Sequence, residues 1–356
     1  MSKLKPGVVY GESYQSLVQS CKEGHYALPA VNVVGTNSVN AVLEAAARNK
    51  ADVIIQLSNG GAQFFAGQGM SDGAAAKVLG AVSAAQHVHL LAEHYGVCVV
   101  LHTDHANKKL IPWVEGLIEA GGEHYKSHGR PLFTSHMLDL SEETLEDNLA
   151  ICAKALKNMV PLEMSLEIEL GVTGGEEDGV GSDEDVTDNA KLYTQPEDVL
   201  AAYDLLAPIG HFSVAASFGN VHGVYKPGNV HLRPEILRES QSLITSARGT
   251  VDNPLDLVFH GGSGSEKDKI HEAIDYGVFK MNIDTDTQFA FATAIGSYKD
   301  ENSRAFAYQI DPDDGTPYKK QYDPRKWLRA GEVSMANRLD EAFEDLRAGG
   351  KSLAIH

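Results

Sequence analysis

The stretch VCVVLHTDH, Val97 to His105, is an apolar run that ends abruptly in polar, titratable side chains. The same design recurs in SVAASFGNVHG, Ser213 to Gly223, and in LDLVFHGGSGS, Leu255 to Ser265. Apolar strands that each finish on a histidine suit a parallel barrel, because barrel enzymes assemble their chemistry at the carboxyl ends of the strands. Three neutral imidazoles meeting there, His105, His222 and His260, would leave one position open on a zinc ion, which marks a catalytic rather than a structural metal. A single buried histidine is more often a packing residue; the threefold recurrence at strand ends is what favours a metal. Of the other histidines, His87, His89 and His94 read as helix-surface or packing residues, and His102 could be either.

Outward from these three runs, strand and helix patterns alternate along the chain. Short apolar or alternating runs predict strands near 26–33, 52–57, 97–101, 133–138, 164–170, 212–218, 255–259 and 278–283. Helical patterns lie between them, among them SVNAVLEAAARNK, the alanine-rich segment from Gly73 to Tyr95, and SEETLEDNLAICAKALKNM with Ser141 as the expected N-cap. Eight strand–helix pairs predict an α/β fold of the (β/α)8 TIM-barrel type. Such a barrel takes about 250 residues, so the surplus is expected in an extended loop after strand five, GVTGGEEDGVGSDEDVTDNA, and in C-terminal helical additions beyond Tyr298. No linker or repeat divides 1–356, so a single domain is expected. An open dinucleotide-binding sheet would need a GxGxxG turn after its first strand, and VNVVGTNS is not one.

The bulk numbers narrow the partners. A chain that is 43% hydrophobic and 22% charged has a real core, and its net charge of -19 excludes nucleic acid or an anionic membrane as a general partner. Cys21, Cys98 and Cys152 are odd in number and without CxxC spacing, and neither a signal peptide nor a membrane span is apparent, so a cytoplasmic location is expected.

Further chemistry sits at strand ends. Asp104 adjoins His105, Asp139 follows FTSHML, and Glu167 and Glu169 share a strand parity that lets both face the barrel interior, as second metal ligands or as partners of ligand histidines. HGGSGS (260–265) and NIDTDT (282–287) follow strands seven and eight, where barrels often bind phosphate with backbone N–H groups and a helix N-terminus. Ser58, Asn59 and Gly60 can join that pocket. Glu176 and Glu177, flanked by glycines on the loop after strand five, suit a lid that carries a base.

These motifs together resemble the class II, metal-dependent fructose-bisphosphate aldolases, from ALPAVN and SNGGA through LHTDH, SHMLDLS, LEIELG, TGGEED, SFGNVHGVYKPGNV, FHGGSGS and KMNIDTDTQ to YDPRKWLRAG. The length and the WLRAG segment resemble the longer, dimeric group. The resemblance implies reversible cleavage of fructose 1,6-bisphosphate through a zinc-stabilised enediolate. It implies a zinc held by His105, His222 and His260, with Asp139 and Glu169 at an alternative metal position. It implies Asp104 as the acid/base on the aldehyde oxygen and Glu177 as the base on carbon. Substrate contacts fall by the same resemblance to Asn32, Ser58, Gly223, Gly261, Gly262, Ser263, Asn282, Ile283, Asp284, Thr285 and Arg329, the arginine crossing the interface of a homodimer. A monovalent cation, Na+ or K+, is implied around Val221, Gly223, Gly261 and Ser263. The alternatives are a tagatose-bisphosphate aldolase, a metal-dependent hydrolase that lacks the usual HxH after its first strand, and a sugar-phosphate-binding scaffold. A Schiff-base aldolase would need a lysine that HFSVAASFG does not offer, leaving Lys126 or Lys280.

Overall fold

The computed structural model describes residues 3–171, 193–220, 232–262 and 264–355, with the backbone of 175–177 and 180–182. Eight parallel strands form a closed barrel: β1 (Leu28–Asn32), β2 (Val53–Leu57), β3 (Cys98–Thr103), β4 (Ser135–Leu138), β5 (Ser165–Leu170), β6 (Phe212–Ala216), β7 (Asp256–Phe259) and β8 (Val278–Asn282). Each pairs with its successor, and β8 returns to β1 through Lys280 opposite Leu28 and Asn282 opposite Ala30. Every strand residue is buried. Runs such as VIIQL in β2 therefore carry branched aliphatics on the face that meets the helices, while inside the barrel Gln56 donates to Asn32 and Asp104, and His102 and Lys280 meet Glu167. Parallel strands covered on both faces read as such near-continuous apolar runs.

The connections follow the expected alternation, with helices Thr36–Asn49, Gly73–Tyr95, Ile111–His128, Leu145–Met159, Pro196–Leu206, Glu235–Arg248 and Lys267–Asp275 between successive strands. The helix after β4 differs from expectation at its start. Its cap is Thr144, whose side chain accepts from the Asp147 N–H, and Ser141 instead donates its hydroxyl to Asp139 at 2.7 Å. Within the extended loop after β5, Gly175–Glu177 pairs antiparallel with Val180–Ser182. The C-terminal additions are helical: Thr285–Glu301, Ser303–Ala307, Lys319–Tyr322 and Pro324–Asp345.

The floor of the barrel is sealed by the chain ends. β3 and β4 pair only from His102 opposite Ser135 onward, and the gap below is filled by Gly7–Val8, parallel to β3. Thr134 bridges that gap, donating to the Val9 carbonyl at 2.6 Å and accepting from the Leu101 N–H at 3.0 Å. Asp52, at the foot of β2, accepts from Ser352, Leu353 and Cys98 and ties the C-terminus to the sheet. Among the described residues no helix is long and apolar enough to cross a membrane.

Candidate active site

The carboxyl ends of β3, β4, β5 and β7 bring His105, Asp139, Glu169 and His260 together. His105 Nδ1 lies 3.0 Å from Asp139 Oδ2 and 3.5 Å from Glu169 Oε2. His260 Nε2 lies 2.8 Å from Glu167 Oε1. A carboxylate only accepts, so each of these nitrogens carries the proton, and each ring's other nitrogen presents a lone pair. Those two nitrogens, His105 Nε2 and His260 Nδ1, face each other at 2.9 Å. Two lone pairs aimed at one point call for a positive charge between them, and carboxylate-buttressed imidazoles are how proteins orient metal ligands. The donor set of Asp104, His105 and His260 converges within 4.8 Å, as does that of His105, Asp139 and Glu169. The residues therefore fit a divalent ion of the zinc type, with a second grouping beside it. His222, the expected third imidazole, lies outside the described residues.

Asp104 is 1% exposed and is gripped by three amides: Asn32 at 3.0 Å, Gln56 at 2.9 Å and Asn282 at 3.3 Å. Burial pushes its carboxyl up, but the charge of His105 when doubly protonated, the ammonium of Lys280, and His260 in the same state outweigh that and hold it below the usual carboxylate range. Asp139 behaves alike. Burial raises it, and the hydrogen bonds from His105 and Ser141 bring it well down. Both acids are thus held ionised, one as a reactive group beside the imidazoles and one as a brace behind them.

The loops after β7 and β8 complete the mouth. Gly261 has φ +61°, the left-handed region that glycine enters without penalty. A Cβ on Gly262 would stand 2.3 Å from the Met281 methyl and 2.7 Å from its Cγ, so a side chain here would force Met281 to move. Buried Asn220 donates to the His260 carbonyl at 2.9 Å and accepts from the Phe218 N–H, joining the end of β6 to the end of β7. Ile283 follows β8 through its N–H to the Ala30 carbonyl, and Asp284 holds Gln288 at the start of the helix Thr285–Glu301. Ser58 is buried and caps the helix Asn59–Ala66 through the Gly61 N–H.

Asn32 and Asn282, expected at substrate, stand in the site beside Asp104, to which each amide donates. Arg329 lies on the helix Pro324–Asp345, where Glu44 takes its guanidinium at 2.7 and 2.9 Å and Glu332 at 3.1 Å. Val221, Gly223 and Ser263 lie outside the described residues, as does the side chain of Glu177, whose backbone pairs with Val180. Lys280, weighed only as a Schiff-base lysine, is buried against Glu167 with both oxygens in reach. Lys126 is exposed and pairs with Glu123. The structural parts that the motifs did not reveal are Gln56, Asn220 and the pairing of Lys280 with Glu167. Their only trace in the sequence is a polar residue in an otherwise buried strand or strand exit.

Fold and site together define a metal-dependent barrel enzyme. The model of the class-II fructose-bisphosphate aldolase family matches residues 12–351, and the chain belongs to that family. It is 56% identical over 348 residues to the fructose-bisphosphate aldolase of Haemophilus influenzae, covering 96% of each chain. It is 54% identical to the class 2 fructose-bisphosphate aldolase of Escherichia coli K12, covering 98% of this chain and 99% of the other. The crystal structure of fructose-bisphosphate aldolase from Campylobacter jejuni superposes with a TM-score of 0.89 at 54% identity, covering 98% of both chains. The YdjI aldolase of Escherichia coli K12, at 22% identity and a TM-score of 0.63 over 95% of this chain and 98% of the other, shares the fold.

Proposed function

We propose that this chain catalyses the reversible aldol cleavage of fructose 1,6-bisphosphate to dihydroxyacetone phosphate and glyceraldehyde 3-phosphate, working as one barrel domain over its whole length. The observation that carries the reading is the pair of carboxylate-braced imidazoles facing each other beside an amide-gripped, ionised Asp104. His105, His260 and His222 would hold zinc, and Asp139 and Glu169 offer an alternative position. Zinc, when bound, supplies a Lewis acid that polarises the ketose carbonyl.

The chain's own residues divide the proton work. In cleavage Asp104 takes the proton from the hydroxyl of the carbon that becomes the aldehyde, and Glu177 delivers a proton to the carbon left behind. In condensation both transfers reverse. The amides of Asn32, Gln56 and Asn282 keep Asp104 in one orientation, so the transfer needs no search for geometry. Gly223, Gly261, Gly262, Ser263, Asn282, Ile283, Asp284 and Thr285 would receive one phosphate. The N-terminus of Thr285–Glu301 offers its unpaired N–H groups there, and a Na+ or K+ near Val221, Gly223, Gly261 and Ser263 would offset the negative charge. Ser58 would contact the other phosphate together with Arg329 of a second subunit.

A homodimer fits the helix Thr285–Glu301, in which Thr287 is buried while Phe289 is 70% exposed. The cysteines Cys21, Cys98 and Cys152 are buried thiols, in keeping with a reducing cytoplasm. The test is a coupled assay on fructose and tagatose 1,6-bisphosphates with and without chelator. Fructose 1,6-bisphosphate should be cleaved, the activity should vanish with EDTA, and zinc should restore it. Full activity in a metal-free preparation overturns the reading. Cleavage of the tagatose ester alone replaces the substrate with its epimer.

A further inference from the structure

Lys280 is the charged residue of β8, and its ammonium is 2% exposed in the barrel interior. It lies 2.9 and 2.7 Å from the two oxygens of Glu167, whose side chain is also 2% exposed. Glu167 Oε1 reaches on to His260 Nε2 at 2.8 Å. His102 stands behind, its Nε2 3.5 Å from Glu167 Oε2 and its Nδ1 2.7 Å from Ser135 Oγ. We infer that Lys280 and Glu167 are positioning residues that fix which nitrogen of His260 faces the metal site, an inference that rests on reading His260 as a metal ligand.

The argument is one of donors and acceptors. An ammonium only donates and an ionised carboxylate only accepts. Glu167 can therefore receive Lys280 on both oxygens and still receive the Nε2–H of His260. That bond holds His260 in the tautomer whose bare nitrogen is Nδ1, the atom that faces His105 Nε2. Lys280 has a second effect. By engaging both oxygens it keeps Glu167 behind His260, so the carboxylate braces the imidazole instead of competing with it for the ion. Glu169, two residues on, lies 3.8 Å from His260 Nδ1.

The decisive variant is Glu167→Leu/Lys280→Met, which removes the acceptor of the His260 Nε2–H together with the ammonium that would otherwise be left buried without its carboxylate. His260 Nε2 then has lost the oxygen 2.8 Å away that holds its proton, so the proton can pass to Nδ1, where it blocks the ligand position. Glu167→Gln is the conservative control. Oε1 lies 2.9 Å from Lys280 and 2.8 Å from His260, so an amide oxygen there accepts from both and keeps the original tautomer. Zinc affinity is read by competition with a chelator on the full-length chain, with thermal melts to check folding, and the tautomer by 15N spectra of histidine-labelled protein without metal.

The zinc dissociation constant should rise by about ten- to a hundredfold in Glu167→Leu/Lys280→Met. In Glu167→Gln it should stay near the wild-type value with the proton on Nε2, a retention that loss of the brace would not give. Wild-type zinc affinity in the double variant, or a His260 proton still held on Nε2 there, overturns the inference. If the double variant does not fold, Lys280→Met decides: a weaker zinc affinity than wild type supports the inference, and an unchanged one overturns it. A wild-type chain that binds zinc without these effects sinks the positioning role alone. One that binds none sinks the reading of the metal site as well.

Discussion

Asp104 is the residue on which the proposed chemistry turns, and its surroundings are arranged to keep it charged and still. Three amide donors and nearby cations stabilise the carboxylate against the cost of burial. Asp104→Asn removes the proton acceptor while nearly preserving volume. It should lower cleavage and condensation by about 100- to 10,000-fold. It should leave deuterium exchange into dihydroxyacetone phosphate largely intact, because that exchange needs only the base on carbon. Glu177→Gln should lose both, and wild-type exchange in that variant would pass the role of base to Glu176 or Asp284. Asp104, His105 and His260 were legible in the sequence because they interrupt apolar strands at the ends where barrels react. Lys280 was visible only as the residue a disfavoured Schiff-base reading would have needed. Its partner appears when closure of the barrel sets it against Glu167, 113 residues away. Strand parity pointed Glu167 inward, yet parity cannot name a partner.

At the level of elements, the eight strands and most of their helices were legible because buried parallel strands and amphipathic crossovers leave different periods in the sequence. Helix starts were less so. Ser141 and Thr144 both have the chemistry of a cap, and the choice falls to Thr144 because Asp139, needed beside His105, occupies the Ser141 hydroxyl. The antiparallel pair in the loop after β5 left no alternation to read among its glycines and acids. One packing detail ties an element to the site. The helix Gly73–Tyr95 crosses the helix Asn59–Ala66 so closely that a Cβ on Gly80 would lie 1.8 Å from the Ala62 carbonyl oxygen. Gly80→Ala would ordinarily gain about 1 kcal/mol of helix propensity. Here the clash must push the two helices apart, at a cost of about 1–3 kcal/mol or more. The net effect should be a lower melting temperature. Because Ser58 caps the displaced helix, KM for the bisphosphate should rise more than kcat falls. An unchanged melting temperature would mean that the helices separate freely.

The molecule as a whole is strongly acidic, at -19, yet its proposed substrate is doubly anionic. Attraction must then come from local groups, and Arg329, the one proposed for a phosphate, is turned toward acids on its own surface. Its bonds to Glu44 and Glu332 are half exposed, with 48% of the arginine side chain in solvent. Such pairs are worth about 0–1 kcal/mol. A buried phosphate accepting a bidentate guanidinium can therefore draw Arg329 away from them. In a twofold dimer each subunit would lend its arginine to the other's site, and the complementation follows from that geometry. An Arg329→Ala subunit keeps its metal ligands but lacks the arginine it would lend. A His260→Ala subunit lacks the ligand but still has the arginine. Each homodimer should be nearly inactive. Exchanged at equal amounts, they should recover roughly a quarter of wild-type activity, since half the dimers are mixed and each mixed dimer has one complete site. Mass spectrometry of the exchanged sample establishes that mixed dimers have formed. If they have and activity does not return, Arg329 serves its own subunit or none, and its pairing with Glu44 is then its whole role.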